Sequence, residues 1–209
     1  MTSSASTIEA MQALDRSLFQ AIAAGHDPNA ALLWPARLIA DGGGVWLCVA
    51  IVAFAAWRKP PQRAFLMAML FAAGAASLLA HELAQLIQMP RPFVLGLSPA
   101  YIAHGARGSM PSAHASVMFT AALVLCLRRP LRGVGVVVFL LALLTGWARV
   151  YVGVHFPLDV AGGLLLAMAV TTVFALLLWG VQRYVKPMIR RDDAARANAA
   201  AKAASQHRA

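Results

Sequence analysis

The sequence predicts an all-α, polytopic helix bundle that is embedded in a membrane. Of its 209 residues, 60% are hydrophobic and 12% are charged, and the mean hydropathy is +0.68. A soluble domain carries about 25% charged residues because its surface must face water. Long apolar stretches also recur along the chain, and about 20 helical residues are needed to cross a hydrocarbon core of about 30 Å. We therefore expect lipid to surround most of this chain.

Five apolar stretches predict about five membrane spans. They run approximately over residues 32–57, 64–89, 112–127, 133–152 and 158–179. The third stretch is short, which indicates a helix packed inside the bundle or one that is capped by protein at its outer end. Gly42, Gly43 and Gly44 interrupt the first stretch, where adjacent glycines favour a local kink or close helix packing.

An additional helix is predicted before the first span. Apolar residues recur at helical intervals over residues 8–24, but Glu9, Asp15 and Arg16 interrupt them. This pattern is typical of an amphipathic helix that lies at the membrane interface and does not cross the membrane.

The basic residues predict the orientation of the bundle. The formal net charge of +10 could by itself indicate nucleic acid, but the charges fall at alternating helix ends. They form three groups: Arg58, Lys59 and Arg63; Arg128, Arg129 and Arg132; and the C-terminal residues that begin with Arg183. The positive-inside rule makes that side cytoplasmic. We expect residues 1–190 to form one membrane-embedded domain and residues 191–209 a basic cytoplasmic tail, with no nucleic-acid partner.

Ionisable residues collect on the opposite, outer side, where they mark a functional site because charge is costly at membrane depth. Arg91 follows the second span between two prolines. Ser112 is a plausible N-cap for the third span, and the free amides of that first turn can bind an anion. His114 lies in the same turn. Taken singly, Arg91 could be an arginine that reaches lipid head groups, and His114 an ordinary interfacial residue.

The fourth span and the loop after it carry the most specific pattern. Arg149, His155 and Asp159 lie close together in sequence, and Pro157 favours a helix start near Asp159. Asp159 could then orient the imidazole of His155, as an activated nucleophile requires. A simple salt bridge between Arg149 and Asp159 is the alternative. Arginines, histidines, one carboxylate and a helix N-terminus on one membrane face are nevertheless what phosphoryl transfer without a metal needs.

These residues resemble the signature motifs of the type-2 phosphatidic acid phosphatase superfamily. The resemblance rests on Arg91-Pro92, on residues 111–114 with the sequence PSAH, and on the order Arg149, His155, Asp159. Residues 91–96, followed by His104, are further similar to the bacterial undecaprenyl-pyrophosphate phosphatase branch. The resemblance implies a multi-pass protein of the bacterial cytoplasmic membrane with its active site facing the periplasm or exterior.

The resemblance also implies a role for each residue. His155 would be the nucleophile that forms a phosphohistidine, Asp159 would orient it, and His114 would be the general acid and base. The phosphoryl oxygens would be held by Arg91, Arg149, Ser112 and the amide of Ala113. No metal or other cofactor is implied.

The sequence departs from the family pattern at three alanines. Ala84 stands where the family usually has a lysine, Ala113 replaces a glycine and Ala148 replaces a serine. The missing lysine removes a phosphate-binding charge, and we expect Arg107 in the outer loop to supply a cation in its place.

The preferred function is hydrolysis of undecaprenyl pyrophosphate to undecaprenyl phosphate, which recycles a lipid carrier of cell-wall synthesis. One alternative is a broader lipid phosphatase or phosphotransferase that acts on phosphatidic acid, phosphatidylglycerol phosphate or lipid A. Another is a non-catalytic membrane protein that binds anions or lipids. Both histidines and Asp159 favour chemistry, because anion binding alone would require only the arginines.

Overall fold

The computed structural model describes residues 2–106, 108–185 and 187, and those residues form helices and loops without a β-strand. Within these described residues, seven α-helices follow one another: α1 (Thr2–Ile22), α2 (Ala30–Leu38), α3 (Gly44–Arg58), α4 (Arg63–Ile87), α5 (Ala113–Cys126), α6 (Arg132–Tyr151) and α7 (Pro157–Gly180). Short 3-10 turns at Pro60–Gln62 and Arg129–Leu131 precede α4 and α6, and π-helical turns occur at Ile39–Gly43 and Val181–Val185.

The chain divides into two compact units, Met1–Thr171 and Thr172–Ala209. The first unit contains α1 to α6 and the beginning of α7, and all the predicted site residues fall within its sequence. The predicted basic tail, residues 191–209, lies outside the described residues.

The predicted helix bundle is confirmed. In the part of the chain that the structure describes, four helical segments are long and apolar enough to cross a membrane: Ala30–Arg58, Pro60–Ile87, Arg129–Tyr151 and Pro157–Val185. The shorter α5 packs between α4 and α6, and most of its side chains are buried. The third apolar stretch is therefore a core helix, which needs little hydrophobic length of its own because protein surrounds it.

The first span is broken where the glycines predicted a kink. Gly42 has a φ of 117°, which lies in the region that favours glycine, and it interrupts the helical backbone between α2 and α3. Gly44 lies so close to Thr145 of α6 that a Cβ there would overlap the threonine hydroxyl. Irregular backbone at membrane depth is tolerated where protein covers it. At this break the carbonyl of Ala40 accepts a hydrogen bond from Arg149 of α6 at 2.7 Å.

Two of the basic loops lie together at one end of the bundle. The ammonium group of Lys59, between α3 and α4, donates to the carbonyl of Pro130, between α5 and α6. The guanidinium carbon of Arg128 lies 4.6 Å from the centre of the Phe65 ring, within range of a cation–π interaction. The helix pairs α3–α4 and α5–α6 are therefore connected on the same side of the bundle.

Helix α1 is amphipathic, as predicted, and it packs beside the loop that joins α6 to α7. Phe19 is fully buried, and its ring centre lies 5.2 Å from that of Phe156. Asp15, a polar interruption in the sequence pattern, is also buried, and its Oδ1 accepts the Leu158 amide at 3.0 Å. Leu14 on the opposite face is exposed. Asp15 of α1 thus binds the first turn of α7.

Candidate active site

A cavity of about 590 Å³ lies where the α4–α5 loop, the start of α5 and the α6–α7 loop meet. Five of the predicted site residues line it: Arg91, Ala113, His114, Arg149 and His155. Its apolar wall comes mostly from α4 and extends from Ala84 to Ala73. The sequence motifs, which contribute residues as far apart as Arg91 and His155, 64 positions away, therefore converge on one cavity.

His155 and Asp159 form a buried pair behind the cavity wall. Each residue is 2% exposed, and the Nδ1 of His155 lies 3.2 Å from the Oδ2 of Asp159. Because α7 begins at Pro157, Asp159 lies in its first turn and reaches back over the preceding loop, where the Phe156 amide donates to Oδ2 at 2.8 Å. A carboxylate accepts hydrogen bonds, so Nδ1 of a neutral imidazole carries the proton. The lone pair of His155 is then on Nε2.

The structure adds a residue to this pair that the sequence motifs do not include. The hydroxyl of Ser109 donates to the Oδ1 of Asp159 at 3.2 Å, and Ser109 is 1% exposed. Its amide donates to the carbonyl of Met89 at 2.9 Å. A serine in a loop has no periodic signal, so only its contact with Asp159 identifies it.

Arg91 is held over His155 by backbone carbonyls. Its Nη1 donates to the Val154 carbonyl at 2.8 Å, and its Nη2 donates to the Gly108 carbonyl at 3.1 Å. The same Nη1 lies 3.3 Å from the Nε2 of His155. Gly108 is required at this point, because a Cβ there would overlap the backbone carbonyl of Ala84. The guanidinium is thus fixed beside the predicted nucleophile.

Arg149 reaches the same nitrogen from the opposite wall. It is 2% exposed, its Nη1 donates to Ala40, and its Nη2 lies 3.5 Å from the Nε2 of His155. That Nη2 also lies 2.7 Å from the Nε2 of His104, a loop residue that lines the cavity. His104 was not among the predicted site residues, although it follows the first motif in sequence.

The electrostatic surroundings keep the His155 imidazole neutral. Burial has the largest effect on the pKa of His155, and the positive charges of Arg149 and Arg91 add to it, so that the pKa lies well below its usual value. Burial likewise lowers the pKa of Arg91, which Asp159 partly offsets. A neutral imidazole between two guanidinium groups can act as a nucleophile towards an anionic group that those cations attract.

The start of α5 contributes backbone and one imidazole. Ser112 occupies the N-cap position, but its buried hydroxyl has no hydrogen-bond partner among the described residues. Its amide donates to the Asp159 carbonyl at 2.9 Å, and its carbonyl accepts the Ser116 amide at the same distance. Ala113 and His114, in the first turn, line the cavity. Ser112 therefore ties α5 to α7, while the next two residues reach the cavity.

Two further sequence predictions concern charge. Arg107 lies outside the described residues, so its proposed role as the replacement cation stays a prediction. Ala84 does line the cavity, where the related pattern has a lysine. In the described ranges, no group of three or more His, Cys, Asp or Glu residues is arranged to hold a metal ion.

An oriented imidazole, two buried guanidinium groups and a helix start around one membrane-embedded cavity are the features of a phosphoryl-transfer site. Comparison with known proteins agrees. The family model of the PAP2 superfamily matches residues 65–183, which is more than half of the chain. The chain belongs to this superfamily, and it is a membrane lipid phosphatase.

Two curated relatives are bacterial. YbjG of Escherichia coli (strain K12), provisionally named as an undecaprenyl-diphosphatase, is 32% identical over 170 residues, which cover 81% of this chain and 84% of YbjG. The undecaprenyl-diphosphatase BcrC of Bacillus subtilis (strain 168) is 35% identical over 102 residues, which cover 48% of this chain and 52% of BcrC.

Two solved structures share the fold. LpxE of Aquifex aeolicus is 25% identical, with a TM-score of 0.62 over 75% of this chain and 92% of LpxE. The transmembrane PAP2-type phosphatidylglycerolphosphate phosphatase of Bacillus subtilis is 26% identical, with a TM-score of 0.59 over 84% of this chain and 89% of that chain.

Proposed function

We propose that this protein hydrolyses undecaprenyl pyrophosphate to undecaprenyl phosphate and inorganic phosphate. The observation that carries the proposal is the His155 nitrogen that lies between Arg91 and Arg149 in a cavity with an apolar wall. The names of BcrC and YbjG favour the pyrophosphate lipid as the substrate. The charged groups suit the head group, and the apolar wall along α4 suits the lipid chain.

In the first step, the Nε2 lone pair of His155 attacks the terminal phosphorus. A bond forms between nitrogen and phosphorus, and the bond from that phosphorus to the bridging oxygen breaks. The electron pair stays on the leaving undecaprenyl phosphate, to which His114 gives a proton. Asp159 accepts from Nδ1–H throughout and stabilises the positive charge that the ring gains.

In the second step, water attacks the phosphohistidine. His114, now neutral, takes a proton from the water, the bond between phosphorus and nitrogen breaks, and phosphate leaves. His155 returns to its neutral form. The two products together contain the atoms of the substrate and of one water molecule. No oxidant or cofactor is therefore required.

The two arginines stabilise the charge of the transferring phosphoryl group. Their nearest nitrogens lie 3.3 Å (Arg91) and 3.5 Å (Arg149) from the Nε2 of His155. Charge-assisted hydrogen bonds to phosphate oxygens are shorter, about 2.7–2.9 Å, and therefore stronger. The amides at the start of α5, with Ser112 and Ala113, add further positive potential. Arg107 is proposed to bind the second phosphate in place of the family lysine.

A broader lipid phosphatase or phosphotransferase is the second candidate. The similarity to LpxE and to a phosphatidylglycerolphosphate phosphatase supports it. The name of the second protein indicates that the same fold occurs in a phosphatase that acts on a different phosphate lipid. In a phosphotransferase, a lipid phosphate would replace water in the second step.

We also propose that the protein lies in a bacterial cytoplasmic membrane with the cavity facing the periplasm or exterior. The adjacent basic loops at Lys59 and Arg128 support a cytoplasmic position for the opposite end. Residues 1–190 would then form the membrane domain, and residues 191–209 a cytoplasmic tail.

The decisive experiment measures phosphate release from undecaprenyl pyrophosphate, phosphatidic acid and phosphatidylglycerol phosphate by the same purified protein, with and without EDTA. We expect the highest kcat/KM for the pyrophosphate lipid and no effect of EDTA. A preference for a monophosphate lipid would support the second candidate. His155→Ala should abolish turnover of all three lipids, whereas the exposed His26→Ala serves as the matched control and should leave turnover unchanged. Activity that survives His155→Ala would refute the nucleophile.

A further inference from the structure

The cavity contains a histidine for which the proposed reaction has no role. His104 lies in the loop between α4 and α5, is half-buried, and lines the cavity with His114 and His155. Its ring meets that of His155 edge to face, with the ring centres 5.8 Å apart. His104 therefore lies beside the predicted nucleophile.

Hydrogen bonding determines the tautomer of His104. Its Nε2 lies 2.7 Å from the Nη2 of Arg149, and a guanidinium can only donate. The Nε2 of His104 must therefore accept, and the proton of the neutral ring lies on Nδ1. That nitrogen is 3.2 Å from the Gly105 carbonyl, to which it donates. Both ring nitrogens are thus used, and a proton on Nε2 would face the positive charge of Arg149.

The charges around His104 keep it an acceptor. Burial and the positive charges of Arg91 and Arg149 lower the pKa of His104 to about 4, an effect that the hydrogen bond to the Gly105 carbonyl partly opposes. His155 is neutral in the resting scheme, and His114, which also lines the cavity, begins the proposed reaction protonated. The guanidinium groups of Arg91 and Arg149 therefore face His104. The carboxylate of Asp159 is bound to His155 and not to His104.

Two acceptors fix the guanidinium of Arg149. Ala40 binds Nη1 at 2.7 Å, and His104 binds Nη2 at 2.7 Å. Because the guanidinium is planar, two bonds at its two ends determine the direction of the second hydrogen on Nη2. That nitrogen is 3.5 Å from the Nε2 of His155. The second hydrogen is therefore available to a phosphoryl oxygen while the first stays on His104.

We propose that His104 is a positioning residue: its Nε2 lone pair holds Arg149 beside the nucleophilic nitrogen of His155, in the orientation that binds the transferring phosphoryl group. This inference rests on the proposed function. In this role, His104 acts through Arg149 and not on the substrate itself. A wrongly oriented guanidinium would still attract the anionic head group but would stabilise the transition state less.

The test compares three substitutions of His104. The amide of glutamine can place an oxygen where Nε2 stands, whereas the shorter asparagine reaches only the position of Nδ1. We expect His104→Gln to keep kcat within about 3-fold of the unsubstituted protein, and His104→Ala and His104→Asn to lower kcat about 10- to 100-fold, the range expected for a hydrogen bond to a charged group. KM should change less than kcat in all three.

The assay uses the full chain in detergent with undecaprenyl pyrophosphate, and thermal unfolding checks that each variant is folded. His26→Ala, a substitution of an exposed histidine, is the matched control. Equal losses in His104→Gln and His104→Ala, or retention of activity in His104→Ala, would overturn the proposal.

A measurement without substrate separates this inference from the proposed function. In nitrogen NMR spectra of protein with labelled histidine, the signals that disappear in His104→Gln should belong to a neutral ring with the proton on Nδ1 between about pH 5 and 9. A charged ring, or a proton on Nε2, would refute the bond to Arg149 even if the lipid is hydrolysed. If the predicted tautomer is observed but none of the lipids is hydrolysed, the proposed function is refuted and the hydrogen bond of His104 is not.

Discussion

Replacement of Ser109 by alanine tests whether Ser109 positions Asp159, the carboxylate that orients the nucleophile His155. The hydroxyl of Ser109 donates to the Oδ1 of Asp159 at 3.2 Å, and the serine is 1% exposed. Ser109→Ala removes this bond and leaves a methyl group of similar size, so the cost should come from the lost bond and not from a cavity. The Oδ2 of Asp159 keeps its contacts with His155 and the Phe156 amide.

The geometry sets the expected magnitude. A hydrogen bond to a charged group contributes about 1.5–3 kcal/mol. At 3.2 Å this bond is longer than the strongest hydroxyl–carboxylate bonds, which places it at the lower end. About 1.4 kcal/mol corresponds to a tenfold change in rate. We therefore expect Ser109→Ala to lower kcat by about 10-fold and to change KM little.

The assay is phosphate release under steady-state conditions, with thermal unfolding measured in parallel. Ser98→Ala is the matched control, because Ser98 is a loop serine that is 2% exposed and donates to backbone carbonyls of Gly25 and Pro99. It should retain kcat within about 3-fold, since a neutral hydrogen bond contributes only about 1 kcal/mol. Equal losses in the two variants would attribute the effect to loop packing.

A double-mutant cycle gives the sharper refutation. If Ser109 acts through Asp159, its removal should cost little once Asp159→Asn has removed the carboxylate, because residues in one network are not additive. A full tenfold loss from Ser109→Ala in the Asp159→Asn background would show that the serine acts elsewhere.

Three further predictions concern the acid, the pH dependence and the topology. His114→Ala should lower kcat by about 100- to 10,000-fold, the usual contribution of general acid–base catalysis, and a loss below about 10-fold would remove His114 from that role. Burial and the two arginines depress the pKa of His155, so its neutral form persists at low pH. Arg91→Gln removes one cation and should raise this pKa, which moves the acidic limb of the kcat/KM profile to higher pH; an unchanged limb or a shift to lower pH would contradict the electrostatic argument. In intact cells, an impermeant thiol reagent should label a cysteine placed at the exposed Ala103 but not one placed at Ser205, and the reverse pattern would invert the proposed orientation.

The sequence by itself determined the fold class and predicted several residues of the candidate site. Helix periods and apolar length are local properties, so they predicted the bundle, the amphipathic α1 and the kink near Gly42. Motif order likewise identified Arg91, Arg149 and His155, which line one cavity. Their convergence is expected because charge is too costly at membrane depth to occur there without a partner, and their roles in catalysis stay predictions.

Only the tertiary structure decided which groups hold those residues in place. The bond of Ser109 to Asp159 and that of His104 to Arg149 each span 45 or more positions of sequence. The Asp15 carboxylate, predicted as a polar interruption of an interfacial helix, instead binds the start of α7, 143 positions away. Such partners follow from the packing of helices and loops and not from any local period, and a buried polar group requires a partner wherever the fold can bring one.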